Sequence, residues 1–156
     1  MMTDIERTVA ELTRRVQALE DQLAIQNVIV RYGLAADAGD ADGAAAVFTD
    51  DGVYDVDVGR MEGRPAVRAL IDGERHQTMV GRCAHQMGPF VISLDGDRAV
   101  ATGYSRVYLH TPEAIRVYRV SFNRWFLARR VAEWLIERRV TRVLGHEEAL
   151  RVLRAE

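Results

Sequence analysis

The sequence predicts a single α+β domain in which helices come first and four long strands follow. Up to about residue 75, apolar residues recur mostly at helical spacings of three and four, with one short alternating stretch between. From residue 82 to residue 144, the pattern changes to long runs rich in β-branched and aromatic residues, separated by short turns. Helical runs followed by strand runs are typical of α+β domains.

An amphipathic helix with a heptad pattern is predicted over residues 4–24. Its apolar residues follow one another at alternating intervals of four and three: Ile5, Val9, Leu12, Val16, Leu19 and Leu23. A lone helix of this length with a narrow apolar stripe is marginal in water. We therefore expect residues 1–24 to dock either on the chain's own domain or on the same helix of another subunit. Residues 25–156 are expected to form the main domain.

The chain between this helix and the strands is predicted to alternate short elements and turns. The helical pattern continues to Ala36 and ends in turn-rich residues, after which Asp40 caps a short helix over 41–48. TDDG at 49–52 predicts a turn before a strand over 53–58. Pro65 favours the start of another helix that runs to about Arg75, with 76–81 as loop.

Four long strands are predicted over 82–94, 98–110, 114–129 and 134–144, with a short helix at 147–153. The DGD sequence at 95–97 is a strong hairpin signal. Consecutive strands joined by short turns pair antiparallel, and long antiparallel strands curl because sheets twist. The expected architecture is a cone-shaped, curved antiparallel sheet wrapped by the N-terminal helices.

Composition narrows the classes of function. The net charge of −2 disfavours nucleic acid as a partner. All 21 basic residues are Arg, which excludes lysine Schiff-base chemistry, and no Ser lies in a Gly-x-Ser-x-Gly elbow. Because no apolar run reaches membrane-spanning length and the N-terminus has no signal-peptide pattern, we expect a cytoplasmic protein that does not bind membranes. The single Cys83 excludes an intrachain disulfide and a cysteine-based metal cage.

Strand alternation selects the residues that could do chemistry. Cys83, His85 and Met87 share one face of the first long strand. Ser121, Asn123 and Trp125 share one face of the third. If both faces line the interior, a few polar groups stand amid apolar walls, as in small-molecule sites. His85 is the best candidate for a general acid or base, because histidine titrates near neutral pH.

Asp37 is the candidate partner of His85, and two interpretations stay open for it. An Asp followed by Gly near a helix end is usually a turn or cap residue. The alternative is that its carboxylate orients His85 and supports the imidazolium. Tyr32 and Tyr54 could likewise supply phenolic donors to a substrate or simply pack in the core.

Two further sets of residues have alternative interpretations. Asp37, His85 and His110 could form a two-His-one-carboxylate metal site, but their spacing lacks a local ligand signature. We expect neither a metal nor a cofactor. A set of ionic residues near the C-terminus is interpreted as a solvated strand face, with Arg138 the exception if its face points inward. The set comprises Arg129, Arg130, Glu133, Glu137, Arg138, Arg139 and Arg142.

Several stretches resemble SnoaL-like proteins of the NTF2-like superfamily. They are LAIQNVIVRYGLAADAGDADGAAAVFTDDGVYDV, GRMEGRPAVRALI, CAHQMGP, SFNRW and WLIERR. The resemblance covers nearly the whole chain from about residue 20. It implies an NTF2-like, cystatin-like α+β roll and a homodimer or homotrimer. It implies much less about activity, because this fold hosts many functions.

Within that superfamily the chain is similar to scytalone dehydratase, bile acid 7α-dehydratase and hexachlorocyclohexane dehydrochlorinase. Those enzymes use an Asp–His pair for cofactor-free elimination, and the pair falls here on Asp37 and His85. Tyr32 falls on a pocket tyrosine of the bile acid enzyme. The polar pocket residues of scytalone dehydratase fall on Tyr54, His110, Ser121 and Asn123.

The leading hypothesis is a cofactor-independent lyase or isomerase acting on a small hydrophobic cyclic substrate of steroid, polyketide or aromatic type. His85 would remove a proton beside a carbonyl while Asp37 orients it, with Tyr32, Tyr54 or Asn123 stabilising the enolate or the departing group. One alternative is a non-catalytic small-molecule-binding protein of the same fold. Another is a structural subunit resembling the small subunits of aromatic-ring dioxygenases.

Overall fold

A computed structural model of the protein describes residues 1–154, and its first element is one long helix. Helix α1 spans Asp4–Ala38 without a break between the heptad segment and the rest. It begins at a capping box, because the Thr3 side chain accepts from the backbone of Glu6 and the Glu6 carboxylate accepts from the backbone of Thr3. It ends at Gly39, whose φ of 68° lies in the left-handed region that glycine adopts without strain.

Five short elements follow α1, three of them in the predicted order with shifted bounds and two that were not predicted as separate elements. They are α2 (Ala41–Ala46), β1 (Phe48–Val56), β2 (Gly59–Glu62), α3 (Arg64–Asp72) and α4 (Glu74–Gln77). The turn predicted at TDDG is wrong: these residues lie inside β1, where the pairing with its parallel neighbour is irregular between Phe48 and Val53. The loop predicted from residue 76 is also wrong in part, since α4 includes His76.

The four long strands are confirmed as β3 (Cys83–Asp95), β4 (Arg98–His110), β5 (Ile115–Arg130) and β6 (Glu133–Val143), followed by α5 (Ala149–Leu153). They pair antiparallel in succession within a six-stranded sheet of order β2-β1-β6-β5-β4-β3. The sheet is not wholly antiparallel, because β1 returns to pair parallel with β6. Strand β3, which carries His85, is therefore at one edge.

The core lies between the sheet and the C-terminal half of α1. Ile25, Val28, Ile29 and Tyr32 are buried there against side chains of the sheet. Gly33 permits the close approach of α1 to β3, because a Cβ atom at this position would lie 2.9 Å from Cγ of Met87. Within residues 1–154, no helix combines the length and the apolar character that a membrane crossing requires.

A bulge in β6 decides which of its arginines points into the core. Trp134 and Ile136 are buried, but the next buried position is Arg139 instead of Arg138. The pairing passes from Leu127↔Ile136 to Phe126↔Arg138, so Glu137 is an extra residue on β6. The face of Arg138 therefore does not point inward, and this residue is not the exception that the sequence left open. Arg138 pairs with Asp55 on the outer side, and Arg139 does not belong to a solvated face.

Candidate active site

Asp37 and His85 form a hydrogen-bonded pair where the end of α1 meets β3. The ring Nδ1 of His85 lies 2.5 Å from Oδ1 of Asp37, and the backbone N–H of His85 donates to Oδ2 at 2.7 Å. The Asp37 carboxylate can only accept a hydrogen bond, so the proton of the neutral His85 ring is on Nδ1. The other ring nitrogen, Nε2, is then an acceptor. The side chains of His85 and Asp37 are 15% and 20% exposed, so solvent reaches the pair.

The position of Asp37 argues against a purely local capping role. It lies in the last turn of α1, where the helix dipole disfavours a negative charge, and its carboxylate bonds reach β3 instead of the local backbone. Burial raises the pKa of Asp37, but the bonds from the ring and backbone of His85, together with Cys83, outweigh burial and leave the pKa below its ordinary value. Asp37 is thus held as a carboxylate beside the imidazole.

Cys83, which strand alternation placed on the same face as His85, is a third member of this cluster. Its Sγ donates to Oδ1 of Asp37 at 3.3 Å. Burial and the adjacent Asp37 raise the pKa of the thiol to about 11. Ligand atoms of Asp37, Cys83 and His85 lie within 4.8 Å of one another and could approach one metal ion. The Asp–His contact at hydrogen-bond distance is the geometry expected of a proton-transfer pair.

His76 of α4 lies next to the pair, in a segment that was expected to be loop. Its ring centroid is 6.4 Å from that of His85. The carbonyl of Ala36 accepts from its Nε2 at 2.7 Å, which places the proton on Nε2. Only the close packing of α4 on the end of α1 brings His76 here, and no spacing in the sequence signals it.

Arg139 is the second functional candidate that sequence reasoning missed. It is only 4% exposed, and both Nε and Nη2 donate to Oδ1 of Asn123, at 3.2 and 2.9 Å. Its Cζ lies 4.3 Å from the ring centroid of Trp125, 4.6 Å from Tyr54 and 5.0 Å from Tyr32. Within the part of the chain that the structure describes, no carboxylate pairs with this guanidinium. A buried positive charge therefore stands in an aromatic cage without a counterion.

The two tyrosines, Tyr32 and Tyr54, are both buried in the interior. Tyr32 is 3% exposed and packs edge-on against Tyr54 and Trp125. Burial raises the pKa of Tyr32, and Tyr54 raises it further, while the charge of Arg139 acts in the opposite direction. The phenol therefore stays protonated and can act only as a neutral donor or acceptor at physiological pH.

Ser121, Asn123 and Trp125 are all buried on the predicted inward face of β5. Nδ2 of Asn123 donates to Oγ of Ser105 at 2.8 Å, and Oγ of Ser121 accepts from Arg119 at 2.7 Å. Nε1 of Trp125 is fully buried without a hydrogen-bond partner among residues 1–154, as is Oγ1 of Thr141. Each of these atoms lacks the hydrogen-bond partner that a buried polar group usually has.

His110 does not join the interior set. It is exposed at the end of β4, on the opposite face from the buried Ser105 and Val107. The expectation that it lines the pocket is wrong, because strand alternation turns its side chain outward. The metal triad of Asp37, His85 and His110 is consequently not assembled.

Two large surface grooves lie outside the site. One, of about 670 Å³, lies between α1 and the hairpin that joins β5 to β6, and its lining includes Arg129 and Trp134. The other, of about 520 Å³, lies between α1, α2 and the start of β6. Neither groove is lined by Asp37, His85 or Arg139. The candidate site is therefore taken as the partly exposed Asp–His pair together with the buried polar side chains around Arg139.

This fold defines a class of protein, the NTF2-like superfamily of α+β rolls. More narrowly, the chain belongs to the SnoaL-like domain family, whose model matches residues 17–140. A similar solved structure is an NTF2-like protein with a cystatin-like fold from Novosphingobium aromaticivorans. It is 36% identical, covers 93% of this chain and 96% of that chain, and has a TM-score of 0.88.

More distant structures share the fold alone. ActVI-ORFA from Streptomyces coelicolor is 20% identical over 78% of this chain and 96% of that chain, with a TM-score of 0.68. LinA is 16% identical over 83% of this chain and 89% of that chain, with a TM-score of 0.73. Among curated proteins, none matches the chain.

Proposed function

We propose that the protein is a cofactor-independent lyase or isomerase that moves a proton on a small cyclic substrate. The observation that carries this proposal is the double contact of the Asp37 carboxylate with the ring and the backbone of His85. A carboxylate bound to Nδ1 leaves Nε2 free to accept a proton and stabilises the imidazolium that results. A structural role alone would not need a solvent-reached imidazole oriented in this way.

Arg139 is proposed to stabilise the negative charge that forms when the proton leaves. An enolate oxygen or a departing anion placed against the guanidinium would gain a charge-assisted hydrogen bond in a region from which water is excluded. Tyr32 and Tyr54 border the same cation and, as neutral phenols, can donate to that oxygen. Their rings, with Trp125, favour a flat, apolar substrate body. We infer a cyclic ketone or a related carbonyl compound of polyketide, steroid or aromatic type.

Deuterium exchange on a model ketone tests the proposed base without knowledge of the natural substrate. The protein would be incubated with 2-tetralone in D₂O, and loss of the α-proton signal would be followed by NMR. The parent should exchange these protons faster than buffer alone. His85→Ala and Asp37→Asn should each slow the enzymatic rate by about 10²- to 10⁴-fold, the range of general base catalysis.

Matched controls distinguish chemistry from folding and from simple binding. His110→Ala changes an exposed histidine on the opposite face and should leave exchange at the parent rate. Both dyad variants should keep the parent's circular dichroism spectrum. If 2-tetralone binds with its protons unexchanged, the non-catalytic binding alternative replaces this proposal. Exchange that survives both dyad substitutions would place the base elsewhere.

A further inference from the structure

The first five turns of α1 carry an apolar stripe that the rest of the chain leaves exposed. The stripe consists of Ile5, Val9, Leu12, Val16, Leu19 and Leu23, whose exposed fractions lie between 51% and 76%. The rest of the described chain does not cover this stripe. A single exposed helix of this kind is marginal in water, so its regular form needs support from another surface.

The stripe and the domain lie on opposite sides of the same helix. At 100° per residue, the buried positions Ile25, Val28, Ile29 and Tyr32 fall roughly half a turn away from the stripe. Asp21 lies on the domain side too, where Arg129 and Trp134 donate to its carboxylate at 2.7 and 3.1 Å. A second helix could therefore lie along the stripe without meeting the domain to which α1 belongs.

The identity of the apolar residues indicates what that second helix is. In heptad notation the a positions are Val9, Val16 and Leu23, and the d positions are Ile5, Leu12 and Leu19. β-Branched residues at a with Leu at d favour two parallel strands over three or four. Two of the three a positions and two of the three d positions follow this preference.

The charges beside the stripe favour a parallel arrangement of two identical helices. Arg15 occupies a g position and Glu20 the following e position. In a parallel pair in register, Arg15 of one chain lies beside Glu20 of the other, and the twofold axis makes this contact twice. An antiparallel pair would bring g positions beside g and e positions beside e, which juxtaposes like charges.

We propose that residues 4–23 form a parallel, two-stranded coiled coil with a second copy of this chain. The domains then lie on the outer sides of the coil, because the buried face of α1 is opposite the stripe. The assembly is separate from the chemistry proposed above, because none of the stripe residues contacts the candidate site.

Charge reversal in the full-length chain tests this pairing directly. Sedimentation equilibrium of the parent should give twice the 17.6 kDa chain mass. Arg15→Glu and Glu20→Arg, each alone, place like charges together at both contacts and should raise the dimer dissociation constant about tenfold at low salt. The double variant restores opposite charges and should return to near the parent value. Both residues are exposed, so these variants should keep the fold.

Orientation is tested by cross-linking. Ile5→Cys should form an intermolecular disulfide under mild oxidation, because residue 5 meets its own copy only when the helices are parallel and in register. The parent, which retains Cys83, controls for disulfides through that thiol. A monomeric parent at 50 μM, a trimer, charge variants that leave the dissociation constant unchanged, or a double variant that is not rescued would each overturn the proposal.

Discussion

Arg139 is a residue whose burial makes little sense as a stabilising feature. Taking a guanidinium out of water costs several kcal/mol unless it is paired, and here one amide oxygen and three aromatic faces replace the water. Buried charges of this kind can often be replaced by apolar residues of similar size at little cost. Its retention is therefore better explained by a ligand that carries or develops negative charge.

Arg139→Met should separate stability from activity. We expect the free energy of unfolding to stay within about 1 kcal/mol of the parent value, measured by urea denaturation, because the substitution removes an uncompensated buried charge. Exchange of 2-tetralone should fall by about 10²- to 10³-fold, as it does when a positioned donor to an oxyanion is lost. Arg138→Met, one residue earlier but on the outer face, should leave exchange unchanged. Equal rates for the two variants would assign Arg139 a structural role.

At the level of single elements, period-two reasoning worked wherever the strands are regular. It placed His85 on the inward face of β3 and Ser121, Asn123 and Trp125 on that of β5. It failed at β6, because the bulge at Glu137 exchanges the two faces of the strand. Without the bulge Arg138 would point inward, and with it Arg139 does, so the residue type does not reveal the difference. Nothing local in WLIERRV indicates the extra residue. His76 could not be found in this way either, since its place depends on how α4 packs on the end of α1.

The contact between α1 and β3 depends on Gly33, which leads to a prediction for this pair of elements. A Cβ atom there would lie 2.9 Å from Cγ of Met87 and 3.3 Å from Cβ of His85. Gly33→Ala should therefore push β3 from α1, lengthen the Asp37–His85 contact and destabilise the fold by about 1–3 kcal/mol. Urea denaturation and the 2-tetralone exchange rate would measure both effects.

A double variant shows whether the crowding is the cause. Met87→Ala removes the side chain that the new methyl group meets first, so Gly33→Ala with Met87→Ala should recover part of the stability lost by Gly33→Ala alone. If the double variant instead loses as much free energy of unfolding as the two single variants together, the two residues do not interact. Gly33 would then be needed for some other reason.

For the molecule as a whole, three partly buried carboxylates join elements that are far apart in sequence. Asp21 connects α1 to β5 and β6, Asp37 connects α1 to β3, and Asp57 accepts from Arg119 of β5 and from the backbone of Val143 in β6. In each, burial raises the pKa, but the bonds from these partners outweigh burial and hold the pKa below its ordinary value. The charged forms thus stabilise the fold.

The stability of the fold should consequently fall in acid. A folded-state pKa below the unfolded value of about 3.9 means that the unfolded chain binds more protons between the two values. The stabilisation is fully present above about pH 5 and is lost as the pH falls through the folded-state values. Urea midpoints should agree at pH 7 and pH 5.5 and decrease progressively below pH 4.

Asp21→Asn tests the contribution of one of these links. The variant should be less stable than the parent at pH 7, by roughly 1–3 kcal/mol, because Arg129 loses a charged acceptor beside the ring of Trp134. It should also lose less stability than the parent between pH 5 and pH 3, since one titrating carboxylate has gone. Asp50→Asn, at an exposed ion pair with Arg64, is the matched control and should follow the parent's pH curve. If Asp21→Asn loses more stability in acid than the parent does, the stabilising role of the charged Asp21 is contradicted. That result would mean that the Asp21 carboxylate destabilises the fold in its charged form.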